Sequence, residues 1–383
     1  MRRASFCLRR AGGVVTTGFV PPPYPYDRLD AFKSLCAEHE GGIVDLSIGD
    51  PCDAPAPAVV AALSTSNAER GYPPSIGIEP LRVAARDWMR RRFDVDVPLT
   101  QVAACVGSKE FVATTAHWLR LRDPSRDTVL YPAVAYPTYE MGAIFANCRP
   151  IAVPMRADGA LDLASISPDD AKRAVMIWSN SPSNPTGALD DLGAVVEWGR
   201  RHGVPVFSDE CYAEFTWSAK PQSALQHGLD GVVVLHSLSK RSNLAGLRVG
   251  FYAGDADLVH YLKEVRKHAG MMVPGPAQRA AVVALNDDDS VAVQRETYRR
   301  RLERTAHVLS KWSGIDVALP AGGFYLWFDA VDGWKFAERL AREGGALVSP
   351  GDFYGAGGAN NVRVAVVQPD DKIELVAKRL GVS

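Results

Sequence analysis

The sequence contains no apolar run approaching the roughly 20 residues that a bilayer-spanning helix requires, which speaks against an integral membrane protein. It also lacks an excess of one charge. The 43 Lys and Arg side chains stand against 44 Asp and Glu, a formal net charge of −1, so there is no electrostatic footprint for nucleic acid. Cysteine is sparse and scattered (Cys7, Cys36, Cys52, Cys105, Cys148, Cys211), with no CxxC pair, and the eight histidines show no HxxxH or mixed Cys/His spacing. A disulfide framework and a structural zinc are both disfavoured, no metal is expected, and the cysteine usage suits a reducing, cytoplasmic setting. Internal repeats and low-complexity tracts are absent as well.

What is present is the composition of an ordinary globular chain, 47% hydrophobic and 23% charged over 383 residues, long enough for two domains or one large one. The first twenty residues stand apart. Arg2, Arg3, Arg9 and Arg10 occur with no acid before Asp27, faintly like a transit peptide but without an apolar secretion core. They are expected to form a disordered extension, residues 1–20.

Pro21 to Pro25 reads as an extended lead-in to a helix near residues 30–38, and 43–48 as a short strand ending at Gly49-Asp50-Pro51. Beyond it, apolar runs of strand length at 101–106, 128–131, 150–155, 174–179, 205–208, 232–237 and 247–253 alternate with amphipathic stretches such as 110–121 and 192–202. That alternation predicts an α/β fold, a mostly parallel seven-stranded sheet between helices. The pattern changes after about residue 275. A charged helix near 290–312 leads into strand 323–328, helix 334–343, strands 346–349 and 361–367, and helix 371–380, the pattern of a smaller α+β domain. The expected division is a segment 21–48 packing with the small domain, a large domain 49–275 and a small domain 276–383.

Five short segments, far apart in the chain, carry chemistry. Gly107-Ser108-Lys109-Glu110 opens a helix, so the amides of Ser108 and Lys109 should point at an anion; Ser237 adds a hydroxyl and Arg248 a bidentate guanidinium. Tyr136, in Tyr136-Pro137-Thr138-Tyr139, offers a stacking face. Asn184, in Ser183-Asn184-Pro185-Thr186-Gly187, and Tyr212 could address a phenolate oxygen from opposite sides. Asp209, in Ser208-Asp209-Glu210-Cys211-Tyr212, is a carboxylate able to keep a pyridine nitrogen protonated, and burying it demands a partner. Lys240, after Ser237-Leu238-Ser239, offers an amine for an aldehyde and a base for a substrate proton. Each residue has a plain alternative: a surface lysine, a helix-capping aspartate, a turn asparagine, a core tyrosine, a solvated arginine. Taken in this order, they match the groups of one ligand, pyridoxal 5′-phosphate. The residues that carry chemistry also fall just after predicted strands, where open α/β sheets bind ligands.

These segments resemble the class I/II aminotransferases of pyridoxal-phosphate fold type I, from about Tyr24 to the C-terminus. The resemblance implies that Lys240 carries the cofactor, with Asp209, Tyr212, Asn184 and Arg248 in the roles above. It further implies that Gly49 lies near the substrate carboxylate and Arg363 clamps it. Tyr72 would reach the phosphate of a neighbouring subunit, hence a homodimer with shared sites acting on amino acids and 2-oxo acids. Within the family, the runs 237–246, 71–77, 266–276 and 350–355 are similar to bacterial succinyldiaminopimelate aminotransferases, implying glutamate as donor and N-succinyl-2-amino-6-oxopimelate as acceptor. Lys267, His268 and Arg241 are candidates, by position alone, for the acceptor's further carboxylates. The rivals are another aminotransferase of aspartate, alanine or aromatic type, a C–S β-lyase on the same scaffold, and a non-enzymatic regulatory domain.

Overall fold

The seven apolar runs between residues 101 and 253 pair into one sheet in the computed structural model, which describes residues 18–383. After a short β1 (Val44–Asp45) come β2 (Val102–Cys105), β3 (Thr128–Pro132), β4 (Arg149–Val153), β5 (Ala174–Asn180), β6 (Val206–Asp209), β7 (Val232–Ser237) and β8 (Gly250–Gly254). Their spatial order is β2-β8-β7-β6-β5-β3-β4. Neighbours from β4 to β7 run parallel, whereas β8 is antiparallel to both β7 and β2. The fold is therefore the pyridoxal-phosphate fold type I architecture, with its mainly parallel seven-stranded sheet. The expected extension over residues 1–20 falls almost wholly outside the described residues.

These strands read as near-continuous apolar runs because both faces of the sheet are covered. Ile177, Val206 and Val234 enter one core cluster, and Trp178, Phe207 and Val233, one residue away along each strand, enter another on the opposite face. Helix Leu192–His202 shows how the cover is built. The Asp191 carboxylate accepts from the Ala194 amide at 3.0 Å to start it, and Gly203 at φ 60° ends it in a left-handed cap. Its buried stripe of Leu192, Val195, Val196 and Trp198 lies on the sheet. Each fully buried aliphatic side chain of this kind contributes about 1.5–3 kcal/mol. Gly199 has to be small, since a β-carbon there would overlap the Val206 side chain.

Three of the remaining strands form a separate, antiparallel sheet, β11-β12-β9, from β9 (Tyr325–Asp329), β11 (Ser349–Pro350) and β12 (Asn361–Ala365). A third core cluster joins it to the long helix Asp288–Ser313 and to helix Gly333–Gly344, including Phe324, Leu326, Val364, Leu302 and Leu340. The run expected as one strand over 346–349 is divided. β10 (Ala346–Leu347) pairs in parallel with β1, while β11 pairs with β12. The strand expected over 43–48 is also shorter, because the Asp45 carboxylate accepts from both the amide and the hydroxyl of Ser47 (2.8 and 2.6 Å) and turns the chain. Helix Asp30–Ala37 lies against helix Gly333–Gly344, with Cys36, Ala341 and Leu347 in one small cluster.

Candidate active site

One edge of the large sheet collects the chemistry. The carboxyl ends of β2, β5, β6 and β7 all reach it, and they deliver the segments bearing Ser108, Asn184, Asp209 and Lys240. Because β8 runs the other way, its start lies at the same edge and brings Arg248 with it. A cavity of about 700 Å³ opens there. Its wall includes Lys240, Asp209, Tyr212, Asn184, Ser108, Lys109, Tyr136, Arg248, Gly49 and Arg363.

Lys240 sits in the short helix Leu238–Arg241, directly after β7, and its Nζ donates to the Gly49 carbonyl. Burial, outweighing the pull of Asp50, lowers its amine to about 8. An amine so tuned is neutral, and so nucleophilic, far more often than a surface lysine. Asp209 is the last residue of β6 rather than the first beyond it. Its expected partners are present: Tyr139 Oη donates to Oδ2 at 2.9 Å and the Cys211 amide to Oδ1 at 3.2 Å. Burial still raises this carboxyl above its ordinary value, although both donors work against the rise. A cationic partner in the cavity would complete it.

Arg363 lies in β12, the central strand of the small sheet, and is only 2% exposed. Nη1 donates to Asn184 Oδ1 at 2.8 Å, and Nη2 to Tyr26 Oη at 3.1 Å and to the Ser47 carbonyl. The guanidinium carbon lies 4.1 Å from the Tyr325 ring centre and 4.8 Å from that of Tyr354. Its Nε has no acceptor. A buried donor left open is costly, and a carboxylate in the cavity is the natural acceptor for it. The same bond orients Asn184, whose oxygen faces Arg363 so that its NH₂ is left for the cavity. Tyr212 Oη and Tyr325 Oη lie 2.9 Å apart. Burial holds both phenols protonated, Tyr325 pushed up to about 12 and Tyr212 well above its usual value.

The anion cradle is the start of helix Ser108–Arg122. Its N-cap, Gly107, has φ 74° and no side chain, so the first amides carry no side-chain cap. A β-carbon at Gly107 would run into the Arg248 guanidinium, and Arg248 itself adopts the left-handed region at φ 52°. Behind the cradle, Glu110 takes two 2.7 Å bonds from the buried Arg266, which locks the helix in place. The open amides, the glycine cradle, the low-pKa amine and the carboxylate short of a cation together fit pyridoxal 5′-phosphate.

Two residues singled out from sequence are not in this cavity. Ser237 Oγ accepts from the Ser239 amide and caps the helix that carries Lys240. Tyr72 is 95% exposed and does not line the cavity of its own chain. The three positional candidates for further carboxylates also lie elsewhere. Lys267 and His268 are exposed away from the cavity, and Arg241 is buried against Glu214 and the Ala284 carbonyl. Lys109 lends its amide to the helix start, while its amine bonds Tyr24 Oη at 3.1 Å at the mouth. Conversely, Tyr26, Tyr139 and Tyr325 touch the key groups although none has a role expected from sequence; Tyr139 falls inside one of the five segments, and Tyr26 and Tyr325 fall in none. Tyr139, one helical turn after Tyr136, is the one with a readable spacing. Among the described residues there is no cluster able to hold a metal ion, and no helix long and apolar enough to cross a membrane.

Residues 41–380 match the family model "Aminotransferase class I and II". The chain is 40% identical to a 4-dedimethylamino-4-oxo-anhydrotetracycline transaminase of Streptomyces rimosus, an alignment covering 94% of this chain and 99% of the relative. It is 37% identical to an LL-diaminopimelate aminotransferase of Aquifex aeolicus, covering 94% and 96%. Among solved structures, a probable N-succinyldiaminopimelate aminotransferase from Thermus thermophilus superposes with a TM-score of 0.82 at 31% identity, covering 93% of this chain and 98% of that one.

Proposed function

The chain belongs to the class I and II aminotransferases, a pyridoxal-phosphate-dependent family, and from that premise we propose that it moves an amino group from glutamate to N-succinyl-2-amino-6-oxopimelate. The observation that carries the transfer reading is Arg363, buried with its Nε open, in the same cavity as Lys240 and Asp209. Pyridoxal phosphate supplies, when bound, an aldehyde that amines condense with and a ring that withdraws electrons. Lys240 Nζ would hold that aldehyde, and as a free amine it would take the proton from the substrate Cα and return one. Asp209, braced by Tyr139, would keep a proton on the ring nitrogen. Asn184 and Tyr212 would hold the phenolate oxygen, and the amides of Ser108 and Lys109 with Arg248 would hold the phosphate. Arg363 fixes the α-carboxylate beside Gly49, so that the Cα–H faces the lysine. Retaining that carboxylate argues against decarboxylation.

Tyr72, outside the cavity of its own chain, supports a homodimer in which it serves the neighbouring site. Lys109, with its amine at the mouth, suits an acceptor with a second carboxylate. The specific acceptor rests on the four segments similar to succinyldiaminopimelate aminotransferases and on the 31% identical Thermus structure. The 37% identity to the Aquifex relative favours a second reading, in which the unsuccinylated diaminopimelate skeleton is the substrate. The deciding experiment is an acceptor panel with glutamate, containing both skeletons, common 2-oxo acids and a cysteine conjugate. The succinylated compound should give the highest kcat/KM. Its ranking among the poorest acceptors would overturn the specific assignment, and release of pyruvate and ammonia from the conjugate without 2-oxoglutarate formation would overturn the transfer reading.

A further inference from the structure

A second cavity, of about 370 Å³, lies between the end of helix Glu79–Phe93, the loop bearing Lys220 and the first turns of helix Asp288–Ser313. It shares no lining residue with the cavity of Lys240. Its charged wall is Arg91, Arg92, Lys220 and Arg295, with Glu214 and Asp288 as the acids.

The two acids are already committed. Glu214 is buried; its Oε1 accepts from Trp88 Nε1 at 2.8 Å and from Arg241 Nε at 3.3 Å, and its Oε2 pairs with Arg92 at 2.7 Å. Asp288 pairs with Arg91 at 3.0 Å and with Arg241 at 3.5 Å. Glu296, the acid beside Arg295 on the helix, is held by Arg299 at 2.7 Å. Arg295 has no carboxylate of its own. It donates to the carbonyls of Glu214 and Thr216 and lies 4.5 Å over the Trp217 ring, contacts that use two of its five N–H donors and leave its charge uncancelled. Lys220, at the rim, forms no ion pair among the described residues. Arg92 Nε and Arg241 Nη2 are already turned to the Glu214 and Asp288 carboxylates, at 2.7 and 3.5 Å. Counting Arg241 behind the wall, five cations therefore meet two carboxylates around one recess. Burial first, and the neighbouring Arg92 charge second, pull Arg295 below its ordinary value, against the opposing pull of Glu214 and Glu296.

A concave wall with an excess of cations focuses positive potential into the recess, and the Lys220 amine with the N–H groups Arg295 has left over gives that potential hydrogen-bonding direction. We propose that this cavity is a binding site for a compact, multiply charged oxyanion, held by Arg92, Arg295 and Lys220 and separate from the substrate and cofactor site. The site backs directly onto the catalytic segments. Arg241 follows Lys240 in the chain, Glu214 lies two residues past Tyr212, and the two are joined at 3.3 Å behind the cavity wall.

The test is titration calorimetry on the cofactor-loaded enzyme at constant ionic strength, with inorganic pyrophosphate and citrate as separate probes and chloride as control. At least one probe should bind saturably, the two arms distinguishing phosphate from polycarboxylate chemistry. Lys220→Gln and Arg295→Gln should each weaken binding about fivefold, the scale of one partly screened charge, and Asp288→Asn should tighten it by about the same factor. Arg363→Gln, in the substrate cavity, should leave it unchanged. The proposal is overturned if neither probe binds, if binding follows ionic strength alone, or if Arg363→Gln abolishes it while Lys220→Gln does not.

Discussion

Replacing Lys240 with methionine should make the cofactor-free protein more stable at neutral pH, although it removes the residue on which the chemistry depends. The amine falls from an ordinary 10.5 to about 8, chiefly through burial, which corresponds to a penalty of about 3 kcal/mol on the buried ammonium. Below pH 8 the amine is protonated in both folded and unfolded chains, so the fold bears the whole penalty. Between pH 8 and 10.5 only the unfolded chain keeps the proton, so wild-type stability rises with pH and the penalty fades. Methionine keeps most of the aliphatic stem and removes the charge, but it also removes the donor to the Gly49 carbonyl, a loss of about 1 kcal/mol. Lys240→Met should therefore gain about 2 kcal/mol at pH 7 and lose about 1 kcal/mol near pH 10.5. Denaturant unfolding of both cofactor-free proteins at pH 7, 8.5 and 10 measures this directly. A variant less stable than wild type at pH 7, or a difference that does not change with pH, would show that the cavity does not depress the lysine.

Two further substitutions probe how the site is braced. Tyr139→Phe removes one of the two donors to the Asp209 carboxylate, and a hydrogen bond to a charged group contributes about 1.5–3 kcal/mol. Pyridoxal phosphate affinity of the cofactor-free protein should fall about tenfold or more on that estimate, and a dissociation constant equal to wild type in a cofactor titration would contradict it. Arg301 bonds Asp53 through two nitrogens (2.6 and 2.9 Å) and Asp370 through a third (2.6 Å), tying the 49–53 turn to the last helix. Burial pushes Asp53 up, but Arg301 and Gln294 more than reverse it; Asp370 is lowered chiefly by Arg301. Carboxyls lowered in this way stabilise the fold above their unfolded values, and the benefit disappears as pH falls through their folded ones. Arg301→Met should cost about 2 kcal/mol at pH 7, less than a fully buried pair because both acids reach water, and the deficit should shrink below pH 4. A deficit that stays constant from pH 7 to 3 would argue against this linkage.

Much of this could be read from the residues because buried parallel strands and cofactor-binding turns leave local marks. Strands covered on both faces must be apolar throughout, so all seven runs between 101 and 253 stand out, and Asp209 and Lys240 follow from their place at strand ends. Residues held by contacts from distant parts of the chain left no such mark. Arg241 looks like a surface cation beside Lys240, yet Glu214 and the Ala284 carbonyl draw it into the interior. Tyr26, Tyr139 and Tyr325 are ordinary in sequence, and each matters through the one buried charge or hydroxyl it meets.

The sequence by itself determined the seven strands of the large sheet, the cofactor's chemistry and the family, since those depend on short segments whose residue types are dictated by local geometry and by the ligand. Only the tertiary structure decided that β8 runs backwards and so carries Arg248 to the shared edge. It also decided that Arg363 sits in the middle of its sheet within reach of Asn184, and that Tyr72 lies outside its own cavity. Pairing order and burial arise from contacts between segments far apart along the chain, and no local pattern encodes which partner a strand or a charge will find.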